Sequence, residues 1–228
     1  MKQKFPIISF IGWHNSGKTT LIRKVASELK DRGFKIGILK STHHNIISHK
    51  PGSDTDLYSK DGIKNIGLIG ATGSIFYTDN TNLENPLWIS SKFLSNVDII
   101  ICEGFKHSPH ISKIEVVSSN PTKESLLKDQ VPNVIALAIK KEYKELYDTT
   151  IPIFDKEDVK GLADFILSYL FPYKDKQQLY LFVNGRLIPL KRYVRDSFKG
   201  VIEGFIKALK GTQGAKDIEI KIKKRTEQ

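Results

Sequence analysis

Residues 12 to 20 read GWHNSGKTT, and the first eight fit the spacing G-x-x-x-x-G-K-[ST]. Few patterns restrict a fold as tightly, because this spacing works where a strand passes through a glycine turn into a helix. There the backbone N–H groups of His14, Asn15, Ser16, Gly17, Lys18 and Thr19 wrap a phosphate. The helix that follows aims its positive end at the anion. Lys18 reaches the β- and γ-phosphates, and the Thr19 hydroxyl ligates a Mg²⁺ shared with them. Gly12 and Thr20 bound this cradle, and Gly17 supplies a backbone conformation or close approach that a Cβ would block. The flanking sequence agrees. FPIISFI (5–11) is an apolar run suited to a buried parallel strand, and Leu21, Ile22, Val25, Ala26 and Leu29 recur at helical spacing until Gly33.

A phosphate cradle also needs a carboxylate for the metal or its waters, at the carboxyl end of a nearby strand. The stretch DIIICEGFK (98–106) offers two acids. Asp98 opens this strand and Glu103 closes it, about 17 Å apart at roughly 3.3 Å per residue, so only Glu103 faces the cradle. Gly104 lets the chain turn beside the γ-phosphate, and Lys106 adds positive charge. Lys40 ends a second strand (35–40), and the loop at 44–56 carries Asp54, either a second metal partner or a loop-capping aspartate. Asp155, after the run IPIF (151–154), either accepts hydrogen bonds from a guanine edge or caps the helix that begins near Glu157. Five of the six histidines, His43, His44, His49, His107 and His110, with the lone Cys102, match no closed zinc motif.

Further strands are expected at 66–69, 74–77, 97–102, 114–117 and 134–138, and a helix at 158–170. This alternation predicts an α/β, P-loop NTPase-like, doubly wound and mostly parallel sheet. A polar stretch near 172–178 divides the chain into a nucleotide-binding unit (1–173) and a small basic unit (176–228). In the second unit Asn184-Gly185 marks a hairpin, 193–209 has helical periodicity, and 218–223 alternates as a strand. The result is a ββαβ appendage whose helix is expected to bury its apolar stripe on the three strands.

The net charge of +11 is concentrated in that appendage: residues 176–228 hold 13 Lys/Arg against 5 Asp/Glu, a surplus of 8 that leaves +3 for the remainder. Tyr180 and Phe182 form no recognisable RNA-binding motif. The cationic surface is therefore expected to meet an acidic protein or a pyrophosphate, with nucleic acid unlikely. No apolar run approaches a membrane span and no signal-peptide pattern opens the chain, so a cytoplasmic protein is expected.

With GWHNSGKTT, GILKSTHH (37–44), KPGSD (50–54), EGFK (103–106) and IEV (114–116) all present, the chain resembles the molybdopterin-guanine dinucleotide biosynthesis protein B family from about residue 5 to 171. The P-loop is shared by many nucleotidases; the combination of K-x-T-H-H (40–44), P-G-x-D (51–54) and E-G-F-K (103–106) is far more specific. The resemblance implies a GTP-binding protein with weak hydrolysis, acting beside a nucleotidyltransferase that attaches GMP to molybdopterin. It implies homodimers that assist delivery of GTP or of the finished dinucleotide. It places phosphates at 12–20, Mg²⁺ at Thr19 and Glu103, and a metal- or phosphate-side role at Asp54. No Asn-Lys-x-Asp guanine clamp is present: after VIALA (134–138) the chain gives Ile139-Lys140-Lys141. Two rival readings keep the nucleotide site: a kinase or ligase-like enzyme acting on a small acid, and a metallochaperone NTPase.

Overall fold

The structure, a computed structural model, describes residues 5–42, 50–78, 85–118, 126–147, 149–172, 179–215 and 217–222. Its centre is a six-stranded sheet of β1 (Ile7–Ile11), β2 (Ile36–Lys40), β5 (Ile99–Glu103), β6 (Ser112–Val116), β7 (Val134–Ile139) and β8 (Ile153–Asp155). The strands lie in the order β2-β5-β1-β6-β7-β8, and every pairing is parallel. A parallel sheet must be covered on both faces, and the alternation along β1 and β5 shows how. Ile8, Phe10, Ile99 and Ile101 face one cluster with Leu21, Val25 and Leu29 of α1 (Lys18–Asp31) and Leu162, Ile166 and Leu170 of α4 (Val159–Leu170). Ile7, Ile100 and Cys102 face a second cluster with Leu87 of α3 (Pro86–Phe93).

The hairpin of β9 (Leu181–Val183) and β10 (Arg186–Ile188) closes that second face. Its Phe182 and Leu187 pack on the cluster, and Phe5 meets Tyr180 and Phe182 edge-on. Asn184 and Gly185 have φ of 50° and 76°, which a two-residue type I′ turn requires. Gly185 also approaches Trp88 closely, so that an added Cβ would come 2.3 Å from the indole.

Four features depart from the sequence expectation. The runs at 66–69 and 74–77 form β3 (Ile66–Gly70) and β4 (Gly73–Tyr77), an antiparallel pair separate from the main sheet, with Ile69 80% exposed. Two short helices, α2 (Asp54–Lys60) and α3, begin on the caps Ser53 and Asn85 in stretches that carry too few turns for a clear period. Helix α5 (Arg192–Lys207) exists, but its apolar stripe is not buried on hairpin strands: Val201 and Phe205 are 73% and 69% exposed, and its one buried residue is Arg195. Residues 217–222 carry no strand, since alternation makes a strand only where an edge is offered to it. No described helix is long and apolar enough to cross a membrane.

Candidate functional site

The loop between β1 and α1 is forced by its glycines and by one asparagine. Gly12 has φ 153°, and a Cβ there would lie 2.4 Å from the Val116 carbonyl oxygen of the neighbouring strand. Asn15 and Gly17 have φ of 58° and 88°, the left-handed region that glycine and asparagine tolerate best. Buried Ser16 anchors the loop while His14 and Asn15 stay exposed. The first amides of α1, on Lys18, Thr19 and Thr20, have no acceptor within the helix, and the first turn contains no acidic residue to compete for them. The concavity therefore presents free backbone donors of the kind an anion can accept.

Lys18 folds over the same concavity. Its Nζ donates to the Gly12 carbonyl at 3.0 Å and to the Trp13 carbonyl at 2.7 Å, which carries the ammonium back over the loop. Burial lowers its pKa below the ordinary lysine value; Glu103 opposes this and Lys40 reinforces it. Thr19 and Glu103, 84 positions apart, meet directly: Thr19 Oγ1 donates to Glu103 Oε1 at 3.0 Å. Lys40 Nζ lies 3.2 Å from the same oxygen. The direction argued for this strand holds, since Asp98 sits at the opposite end, accepting from the Lys35 backbone N–H at 2.7 Å.

Gly104 turns the chain away with φ 96°, its N–H donating to the Phe10 carbonyl and its own carbonyl accepting from Ser9 Oγ. Phe105 continues the turn at φ 55°, which brings Lys106 Nζ 5.7 Å over the Trp13 ring. Asp54 is not brought here. It is exposed in the first turn of α2, and among the described residues no hydrogen bond or ion pair joins it to Thr19 or Glu103. His43, His44 and His49 lie outside the described residues. Cys102 is buried, and desolvation pushes its thiol pKa up, so it offers no thiolate.

A hydroxyl and a carboxylate at the mouth of a phosphate loop are hard oxygen donors. They suit Mg²⁺, which takes one or two protein ligands and fills its octahedron with phosphate oxygens and water. No group of three or more His, Cys, Asp or Glu stands together among the described residues.

A cavity of about 500 Å³ adjoins the loop, lined by Asn15, Ser16 and Gly17 on one side and by Lys140, Asp155 and Lys156 on the other. Asp155 Oδ1 accepts from the Glu157 N–H at 2.8 Å, while the cap of α4 is Asp158, which accepts from the Gly161 N–H. The helix-capping alternative for Asp155 thus falls to Asp158. Sequence reasoning missed Lys156, whose Nζ donates to the Ser16 carbonyl at 2.9 Å, and the Lys24–Glu157 pair at 2.5 Å. The available signal was position: Lys156 immediately follows a strand's carboxyl end.

The profile of the family described as Molybdopterin guanine dinucleotide synthesis protein B matches residues 7–140. The molybdopterin-guanine dinucleotide biosynthesis adapter protein of Escherichia coli is 31% identical over 174 residues, covering 74% of this chain and 95% of that one. The putative adapter protein of the same name from Methanocaldococcus jannaschii is 29% identical over 240 residues, covering 95% and 97%. The solved structure of Bacillus subtilis MobB superposes with a TM-score of 0.53 at 27% identity, over 72% of this chain and 97% of that one. With the profile spanning more than half of the sequence, and with the phosphate loop and its carboxylate lying inside the matched segment, the chain belongs to the molybdopterin-guanine dinucleotide biosynthesis protein B (MobB) family.

Proposed function

We propose that this protein is a GTP- and Mg²⁺-binding adapter of molybdenum cofactor biosynthesis. In this reading it assists a partner nucleotidyltransferase in joining GMP to molybdopterin, as a cytoplasmic homodimer. The names of its relatives support the pathway, and the contact of Thr19 with Glu103 at the mouth of the phosphate loop carries the nucleotide part. Lys18 and the α1 amides hold the β- and γ-phosphates, Thr19 and Glu103 hold Mg²⁺ or its waters, and Lys40 and Lys106 add positive charge. The metal, once bound, neutralises phosphate charge. Asp54 belongs to this proposal as a metal- or phosphate-side group, brought in only by a movement of α2. So does the division of the chain at 173/176, with the cationic C-terminal unit turned toward the nucleotidyltransferase or the cofactor's pyrophosphate. Calorimetric titration of GTP and ATP, with and without molybdopterin, tests it: GTP binding that molybdopterin strengthens is the expected result, and equal weak binding of both nucleotides refutes it.

Two further outcomes are expected. Glu103→Gln removes the charge at the metal position and should weaken the Mg²⁺ dependence of GTP binding by about 10-fold or more, the worth of a charge-assisted contact. Asp98→Asn, at the far end of the strand, should leave that dependence unchanged; the reverse pattern removes Glu103 from the metal site. Hydrolysis should be slow, no faster than about 10⁻² s⁻¹, because the phosphate-side motifs GWHNSGKTT and EGFK contain no arginine, and an arginine finger is worth about 10³–10⁵-fold in related GTPases. Turnover of many per second in the isolated protein would favour a kinase-like enzyme.

A further inference from the structure

The family resemblance supplies a phosphate loop but no residue that reads a base, and the usual Asn-Lys-x-Asp clamp is absent after β7, where the chain gives Lys140-Lys141. The cavity beside the loop contains an alternative. Two chain segments from the carboxyl ends of β7 and β8 form its far wall, and Asp155 is the carboxylate at the end of β8. Its Oδ1 accepts the Glu157 N–H, which fixes the plane of the group. Each carboxylate oxygen accepts at two lone-pair positions, so this bond leaves Oδ2 and part of Oδ1 for a ligand. The wall is tied to the phosphate loop by Lys156 Nζ on the Ser16 carbonyl, and to α1 by the exposed Glu157–Lys24 pair. Lys156 therefore links the strand end that carries the carboxylate to the phosphate cradle.

We infer that this cavity is a guanine-reading site in which Asp155 is the specificity-determining residue and Lys156 the positioning residue that holds it in register with the phosphate loop. The inference rests on the proposed binding of a nucleoside triphosphate at Lys18 and Thr19. A guanine edge presents N1–H and N2–H side by side, matching the two oxygens of one carboxylate. Adenine presents the N1 lone pair at the same place, which the carboxylate repels. Lys140, on the same wall, is a donor suited to the guanine O6. Lys156 acts at one remove, through a loop carbonyl. Its ammonium, whose pKa is lowered by burial and by neighbouring Lys140, is committed to Ser16 rather than to solvent.

The test is calorimetric titration of the full chain with GTP, ATP, inosine triphosphate, xanthosine triphosphate and inorganic tripolyphosphate. Wild type should prefer GTP to ATP by about 10- to 100-fold, the range of one or two hydrogen bonds to a charged group. Asp155→Asn should lose GTP affinity by a similar factor and gain xanthosine triphosphate, because the amide NH₂ donates to the xanthine O2 that the carboxylate repels. Tripolyphosphate binding should not change in Asp155→Asn and should vanish in Lys18→Ala. For Lys156→Ala the readout is the ratio of GTP to inosine triphosphate affinity, since inosine lacks only the N2 amine. That ratio should fall toward one and return in Lys156→Arg, whereas a merely structural role would lower both affinities equally. If Asp155→Asn leaves the GTP to xanthosine triphosphate ratio unaltered while Lys18→Ala abolishes GTP binding, the base site is overturned and the phosphate site stands. If Lys18→Ala leaves GTP binding intact, the phosphate site falls and this inference falls with it.

Discussion

Lys18→Ala should reduce GTP affinity by more than about 100-fold while leaving the fold intact. Two charged contacts to phosphate oxygens, at about 1.5–3 kcal/mol each, correspond to that factor or more. The wild-type ammonium already lies within hydrogen-bond distance of two loop carbonyls, so little ordering is needed when the anion arrives. The stability cost should be small, because Lys18 contributes no apolar group to the core and the loop conformation is dictated by Gly12, Asn15 and Gly17. Titration with GTP, alongside circular dichroism and thermal melting, checks both halves. Unchanged affinity would dismantle the site, since Thr19, Glu103 and the α1 amides are assigned around the same phosphates.

Ending the chain at residue 172 should lower the melting temperature by about 6–24 °C. Phe182 and Leu187 cover the cluster formed by Ile7, Leu87, Ile100, Cys102 and Ile111, and Tyr180 packs with Phe5. Burying a large apolar side chain is worth about 1.5–3 kcal/mol, so uncovering this face costs about 3–6 kcal/mol. At roughly 2–4 °C per kcal/mol for a chain of this size, the shift is easily measured by calorimetry. The phosphate loop lies on residues the truncation leaves in place, so GTP should still bind to the fraction that remains folded. A melting temperature within a degree or two of the full chain would show that the hairpin contributes little to the sheet's second face.

The parts of the molecule legible in the sequence are those dictated locally. The glycine spacing announces β1, the loop and α1; Asn184-Gly185 announces its own turn; strand direction alone separates Glu103 from Asp98. The parts that were not legible depend on what lies across the fold. Periodicity identified α5 as a helix but says nothing about what faces its stripe, and Val201 and Phe205 stand exposed. Helix α3 has a start signal in Asn85-Pro86, yet its eight residues offer too few repeats to show a face. The meeting of Lys156 with Ser16 spans 140 positions and follows only from the strand order, which no local pattern encodes.

That strand order also governs when the nucleotide loop can come into being during synthesis. The strand that carries it is made before both of its sheet neighbours, for it lies between β5 and β6, with Ile8 opposite Ile101 on one side and Ser112 on the other. At about 5–20 residues per second, a ribosome needs some 5–20 s after releasing the first strand to deliver both neighbours. Throughout that interval an almost wholly apolar segment, IISFI, has no ladder to join. The growing chain therefore cannot acquire its ligand early, and binding must follow the closure of the sheet's centre.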